Sequence, residues 1–159
     1  MRSLTVLIVV SVASVGLCAE PKDPKAAKAL NGWWKPDSAV MAGKDLPREE
    51  LKPRYLALSN GKYMLNQGDQ VDEGTYKVDE SENPKTISFV VTKGDTKGKT
   101  MLGIYELDKG SLRICFDVSG KTRPTKFESK PDTQSFLASY HRLPSRNRLR
   151  PQGAGGTQQ

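Results

Sequence analysis

A chain of 159 residues has room for one domain and not comfortably for two. Its formal charge of +7 is unevenly placed, because setting aside Arg2, Arg146, Arg148 and Arg150 leaves 21 basic residues against 18 acids. A body this mildly basic argues against a nucleic-acid groove, and the single histidine excludes metal centres built on several histidines.

The chain opens with Arg2 and an apolar run, Leu4 to Val15, broken only by small and hydroxyl residues; Gly16-Leu17-Cys18-Ala19 then offers small residues for cleavage. Residues 1–19 read as a signal peptide, too short to be a good membrane span. The expected location is secreted, periplasmic or cell-envelope. Cys18 raises the question of a lipid anchor, but that processing wants a small residue before the cysteine and Leu17 stands there. With Cys18 removed, Cys115 is alone and forms no intramolecular disulfide.

Residues 20–29, PKDPKAAK at their heart, read as a linker, and the domain is expected over 30–143. A first strand runs from Leu30 through Trp33-Trp34 to Met41, and Ala42 to Asp45 turns. Leu46 to Leu51 makes a single helical turn, since Pro47 is tolerated at a helix start and Glu49 and Glu50 suit that end. Arg54–Leu58 and Lys62–Asn66 pair across Asn60-Gly61, the best hairpin turn in the chain because both residues accept positive φ. After a turn at Gln67–Gln70 come Gly74–Asp79 and then Thr86–Thr92, with Ile87, Phe89 and Val91 inward.

The strongest pattern follows the Gly/Lys loop Lys93–Lys99. Met101–Leu107 is joined by Asp108-Lys109-Gly110-Ser111 to a strand in which Leu112, Ile114, Phe116 and Val118 alternate with Arg113, Cys115 and Asp117. That period of two predicts one buried face, with Cys115 turned outward. Burial of Phe116 predicts a loss of about 3–5 kcal/mol on replacement by Ala. A strand around Thr125–Ser129 and a last one from Gln134 to Leu143 complete the domain. Residues 144–159 read as a disordered basic tail, solvated or touching an acidic envelope component. About nine short, evenly spaced strands without a sustained helical period point to an antiparallel sandwich or an up-and-down barrel.

Motifs that carry chemistry are weak. Gly94 to Thr100 looks like a phosphate-binding loop but has three residues between its glycines, not four, and a strand pattern after it. Asp79, Ser81 and Asn83 alternate as the first ligands of a calcium loop do, yet Pro84 and Val90 stand where that loop needs Gly and Glu. His141 with Ser135 or Ser139 lacks a nucleophile-elbow sequence. Asp72, Glu73, Asp79, Glu80 and Glu82 cluster as adjacent acids at turns usually do, facing solvent. The reading is a protein without catalytic residues, metal or cofactor.

Gly32-Trp33-Trp34, Gly74-Thr75-Tyr76, Asn83-Pro84-Lys85-Thr86-Ile87, Gly103-Ile104-Tyr105-Glu106-Leu107, Leu112-Arg113-Ile114-Cys115 and Arg123-Pro124-Thr125-Lys126-Phe127 occur in that order. Together, over roughly residues 29–143, they closely resemble an uncharacterised lipocalin-like domain family abundant among exported proteins of planctomycete bacteria. The resemblance implies an antiparallel β-barrel of about eight strands with at most one short helical turn, and it implies no activity. It also implies that Gly32 and Trp34 on the first strand are packed by Arg142 on the last, a structural closure of the barrel.

Tyr63, Tyr76, Phe89, Tyr105, Phe116 and Tyr140 are spread over different strands and are candidate lining for a cavity, although in a domain this short the expectation is a mostly filled core with a shallow mouth. The function expected is non-catalytic binding, by a monomer, of a small apolar or amphipathic ligand or an envelope component. The alternative is a structural or protein-interaction module, for instance an inhibitor, with a filled barrel. A cavity of about 300 Å³ or more favours the first, and a large exposed apolar patch the second.

Overall fold

The computed structural model describes residues 23–144, so the expected signal peptide, Cys18 and the arginine-rich tail lie outside the described residues. The alternating stretches form β1 (Gly32–Met41), β2 (Lys44–Asp45), β3 (Arg54–Ser59), β4 (Lys62–Gln67), β5 (Val71–Asp79), β6 (Thr86–Lys93), β7 (Thr100–Asp108), β8 (Ser111–Asp117) and β9 (Ser135–Arg142). Each long strand is antiparallel to the next, and β9 pairs back onto β1 from Trp34↔Arg142 to Met41↔Phe136, closing an eight-stranded barrel. Closure decides between sandwich and barrel, and it removes exposed sheet edges. β2 only extends the end of β1.

The turns follow their residues. Asn60-Gly61 and Lys109-Gly110 both have positive φ at two successive positions, the backbone that matches the twist of a two-residue hairpin. The helical turn expected after Leu46 is α2 (Arg48–Leu51). Lys35 reaches under its end, donating to the carbonyls of Leu51 (3.3 Å), Lys52 and Arg54 (2.9 Å). Burial lowers the pKa of that amine.

Three expectations are corrected. Part of the linker is a second helix, α1 (Pro24–Leu30), with Ala26, Ala27 and Leu30 buried. Asp23 caps it, accepting from the Ala26 N–H at 3.1 Å, and Pro24 occupies the first turn, where its missing N–H costs nothing. Thr125–Ser129 is not a strand, because both edges of β8 are already paired, with β7 and β9, and leave no ladder to join. Instead residues 118–134 form a loop over the outer face. Arg113 stacks its guanidinium 4.8 Å from the Phe127 ring centre, and Arg123 donates to the carbonyls of Ile87 (2.8 Å) and Gly103. Cys115 is therefore buried despite its outward parity, with its Sγ 3.4 Å from the Glu128 carbonyl. Ile104, its cross-strand neighbour, is buried too.

The inner core is continuous from α1 to the middle of the barrel, and α1 closes one end. Its terminal carbonyls, which no helical N–H can reach, are satisfied by barrel side chains. The Tyr76 hydroxyl donates to Ala27 O (3.0 Å), the Trp34 indole N–H to Leu30 O (2.9 Å), and Arg142 to Ala29 O (2.7 Å) and Asn31 O. Arg142 also lies over the Trp34 ring, 4.3 Å from its centre. A cation there suits the negative end of the helix dipole. Gly32 has φ +149° and leaves the path open, for a Cβ would stand 2.8 Å from Arg142 Nη1. The Asn31 side chain then clamps α1 to the β3–β4 turn, accepting from the Asn60 backbone N–H at 2.7 Å and donating to Asn60 Oδ1 at 2.8 Å.

The organising strand is buried unevenly. Leu112 and Ile114 are 0 and 1 % exposed, whereas Phe116 and Val118, on the same face, have reached the open end and are only partly buried. Ile114→Ala should lower unfolding free energy by about 2–5 kcal/mol in urea titration, and Phe116→Ala by less than that, below the cost its pattern alone suggests. Arg142→Met should cost about 2–4 kcal/mol, from the lost stacking and carbonyl bonds, and Arg142→Lys should recover only a minor part, because an ammonium lacks the planar fork.

Candidate functional site

Opposite α1 the barrel is open, and a cavity of about 240 Å³ enters between α2, the β4–β5 turn and the β6–β7 loop. Of the six aromatic residues singled out in the sequence, Tyr63, Phe89, Phe116 and Tyr140 line it. Tyr76 and Tyr105 do not. They sit deeper, at the closed end, where Tyr76 bonds α1 and the Tyr105 hydroxyl donates to Glu80 Oε1 at 3.2 Å. Gly32, Trp34 and Arg142 belong to that closed end as well and have no part in the cavity.

The lining aromatics form one wall. Ring centres are 5.0 Å apart for Tyr63 and Phe89, 6.4 Å for Phe89 and Phe116, and 5.1 Å for Phe116 and Phe136. Tyr63 takes its place because its cross-strand partner on β5 is Gly74. A Cβ at Gly74 would stand 2.6 Å from the Tyr63 ring and 2.0 Å from the Val90 carbonyl. Glycine there gives the ring its seat.

Polar groups gather towards the rim. Arg54, first in β3, is held by its neighbours: Nε donates to Glu50 O (2.9 Å), Nη1 to Gln67 Oε1 (3.3 Å), and Nη2 lies 3.7 Å from Glu50 Oε2. Its charge is thus largely compensated. Asp72 is different. It faces inward with Gly74, Tyr76 and Val78, is partly buried, and has no hydrogen bond or ion pair among the described residues. Near it the Tyr63 hydroxyl is buried and likewise has no partner. Burial, and then the Asp72 carboxylate, push that phenol up to about 12, so it remains neutral at physiological pH. The deeply buried Tyr140 phenol is also pushed up by burial.

Sequence reasoning missed Asp72 because it began the fifth strand at Gly74. Extending the alternation back by one inward position would have placed a carboxylate on the cavity face. The other acids of that cluster do face outward or pair locally, Glu73 with Lys93 at 3.0 Å and Glu80 with Lys85 at 2.5 Å. Gly94 to Lys99 is a turn that closes through Gly98 N–H to Val91 O (2.9 Å) and leads into β7. Asp79 accepts from the Ser81 N–H at 3.0 Å in a local turn. Exposed His141 pairs with Asp37 at 2.7 Å, and neither Ser135 nor Ser139 bonds its ring.

The cavity thus has apolar walls and one carboxylate at its rim without a protein partner among the described residues, while the unpartnered Tyr63 hydroxyl is buried behind the wall. The Tyr63 and Tyr76 hydroxyls, one without a partner and one bonded to α1, test this accounting. Tyr63→Phe should leave stability unchanged or raise it by about 1 kcal/mol, since it removes an orphaned polar group, whereas Tyr76→Phe should lower it by about 1 kcal/mol by freeing the Ala27 carbonyl, both read from thermal or urea unfolding. Compared with protein-family models and with curated proteins, the chain matches none.

Proposed function

We propose that this is an exported, non-catalytic binding protein that takes one small apolar or amphipathic molecule in the mouth of its barrel. The observation that carries the reading is the cavity itself, open opposite α1 and walled by aromatic rings. At about 240 Å³ it falls short of the about 300 Å³ expected of a ligand pocket, so a guest that fits it is compact, of the size of a substituted benzene or a short amphiphile rather than a long-chain lipid. Export is supported by the signal-like segment 1–19 and by the resemblance to lipocalin-like domains of planctomycete exported proteins.

A protein-docking role would call for a broad apolar patch. Among the described residues the exposed large hydrophobics are Val71 and Val90, too little area for one. The cavity is therefore the better-supported site. Native mass spectrometry of the protein purified from its own source should reveal a bound small molecule. The same preparation of Met101→Trp, which crowds the mouth from β7, should lose it while keeping the barrel's far-ultraviolet spectrum. Wild-type protein that is free of any adduct, under conditions gentle enough to retain one, counts against the proposal.

A further inference from the structure

We infer that the cavity is built for a small apolar cation, an amine whose ammonium donates to Asp72 at the mouth while its apolar body lies against the aromatic wall. The inference rests on the binding reading above and specifies its guest.

The starting point is the placement of Asp72. Inward positions of a barrel strand are normally apolar, yet Asp72 lines the mouth of the cavity, partly buried and paired across the strands with Leu65. A Cβ at Gly94 would stand 1.9 Å from its Oδ1, which places the carboxylate at the rim, where it has no hydrogen bond or ion pair among the described residues. A guest that fills the cavity shields this carboxylate further from water and must bring it a donor.

Charge chooses the donor. The cations lining the cavity are Arg54 and Lys99. Arg54 is already bound to Glu50 and Gln67, and Lys99 is exposed at the rim. The uncommitted charge that looks inward is negative. An ammonium donates to the carboxylate in a charge-assisted hydrogen bond. A neutral alcohol makes only the weaker neutral-donor bond, and a carboxylate is repelled by Asp72.

Calorimetric titration of the purified protein with phenethylamine, phenethyl alcohol and phenylacetate separates these cases, because the three share a ring and differ in head group. The amine should bind about tenfold or more tightly than either of the others. Asp72→Asn should weaken the amine by about tenfold and leave the alcohol within about twofold. Asp72→Ser serves as a second variant should the first melt early. Equal affinity for amine and alcohol overturns the inference and leaves the binding proposal standing. Tighter binding of phenylacetate overturns it in favour of Lys99 and Arg54. Failure of all three to bind overturns it too, and together with the absence of a co-purifying molecule removes the binding proposal as well.

Discussion

A barrel of eight short strands has two ends, and the fold depends on what Arg142 does at one of them. Its guanidinium rests on the Trp34 ring and reaches past Gly32 to the last carbonyls of α1. Three separate needs are met by that one side chain. The seam between β1 and β9 is joined at its end, the indole face is shielded from water, and the orphaned acceptors of a seven-residue helix gain a charged donor. A helix this short has little stability of its own. It persists because Trp34, Tyr76 and Arg142 receive its C-terminus and because Ala26, Ala27 and Leu30 are buried in the barrel.

Sealing one end fixes the character of the other. With α1 occupying the space beneath Trp34, Tyr76 and Tyr105, the large side chains there pack as an ordinary core. Towards the mouth the inward residues leave a cavity of about 240 Å³ between them. The asymmetry follows from residue placement along each strand. β5 carries Val78 and Tyr76 towards the plug but Gly74 and Asp72 towards the mouth. β8 likewise changes from fully buried Leu112 and Ile114 to partly exposed Phe116 and Val118. The cavity is thus one consequence of the same gradient that builds the core.

Much of this was legible from the chain. Strand alternation, the Asn60-Gly61 turn and the turn before Ser111 placed the hairpins, since a period of two and a positive-φ pair are local properties. What was lost depends on tertiary contacts. The prolines and lysines of α1 carry loop composition, and only a barrel end that receives Leu30 makes them a helix. Cys115 was placed outside by its parity, correctly for direction, but parity says nothing of a loop that returns over the outer face. Of the proposed cavity residues, Tyr76 and Tyr105 were separated from Tyr63, Phe89, Phe116 and Tyr140 by depth along the barrel axis, a coordinate that composition does not contain. Asp72 was passed over because an acid beside a turn is ordinarily solvated.

The loop of residues 118–134 covers more than apolar surface. It places the Glu128 carbonyl against Cys115 Sγ and leaves the thiol without solvent contact, and burial pushes its pKa up. A thiol held in its protonated form and out of reach of other sulfurs is a poor partner for disulfide exchange and a poor target for peroxide. Arg113, Arg123 and Phe127, by pinning that loop, keep the Cys115 thiol out of solvent and chemically inert.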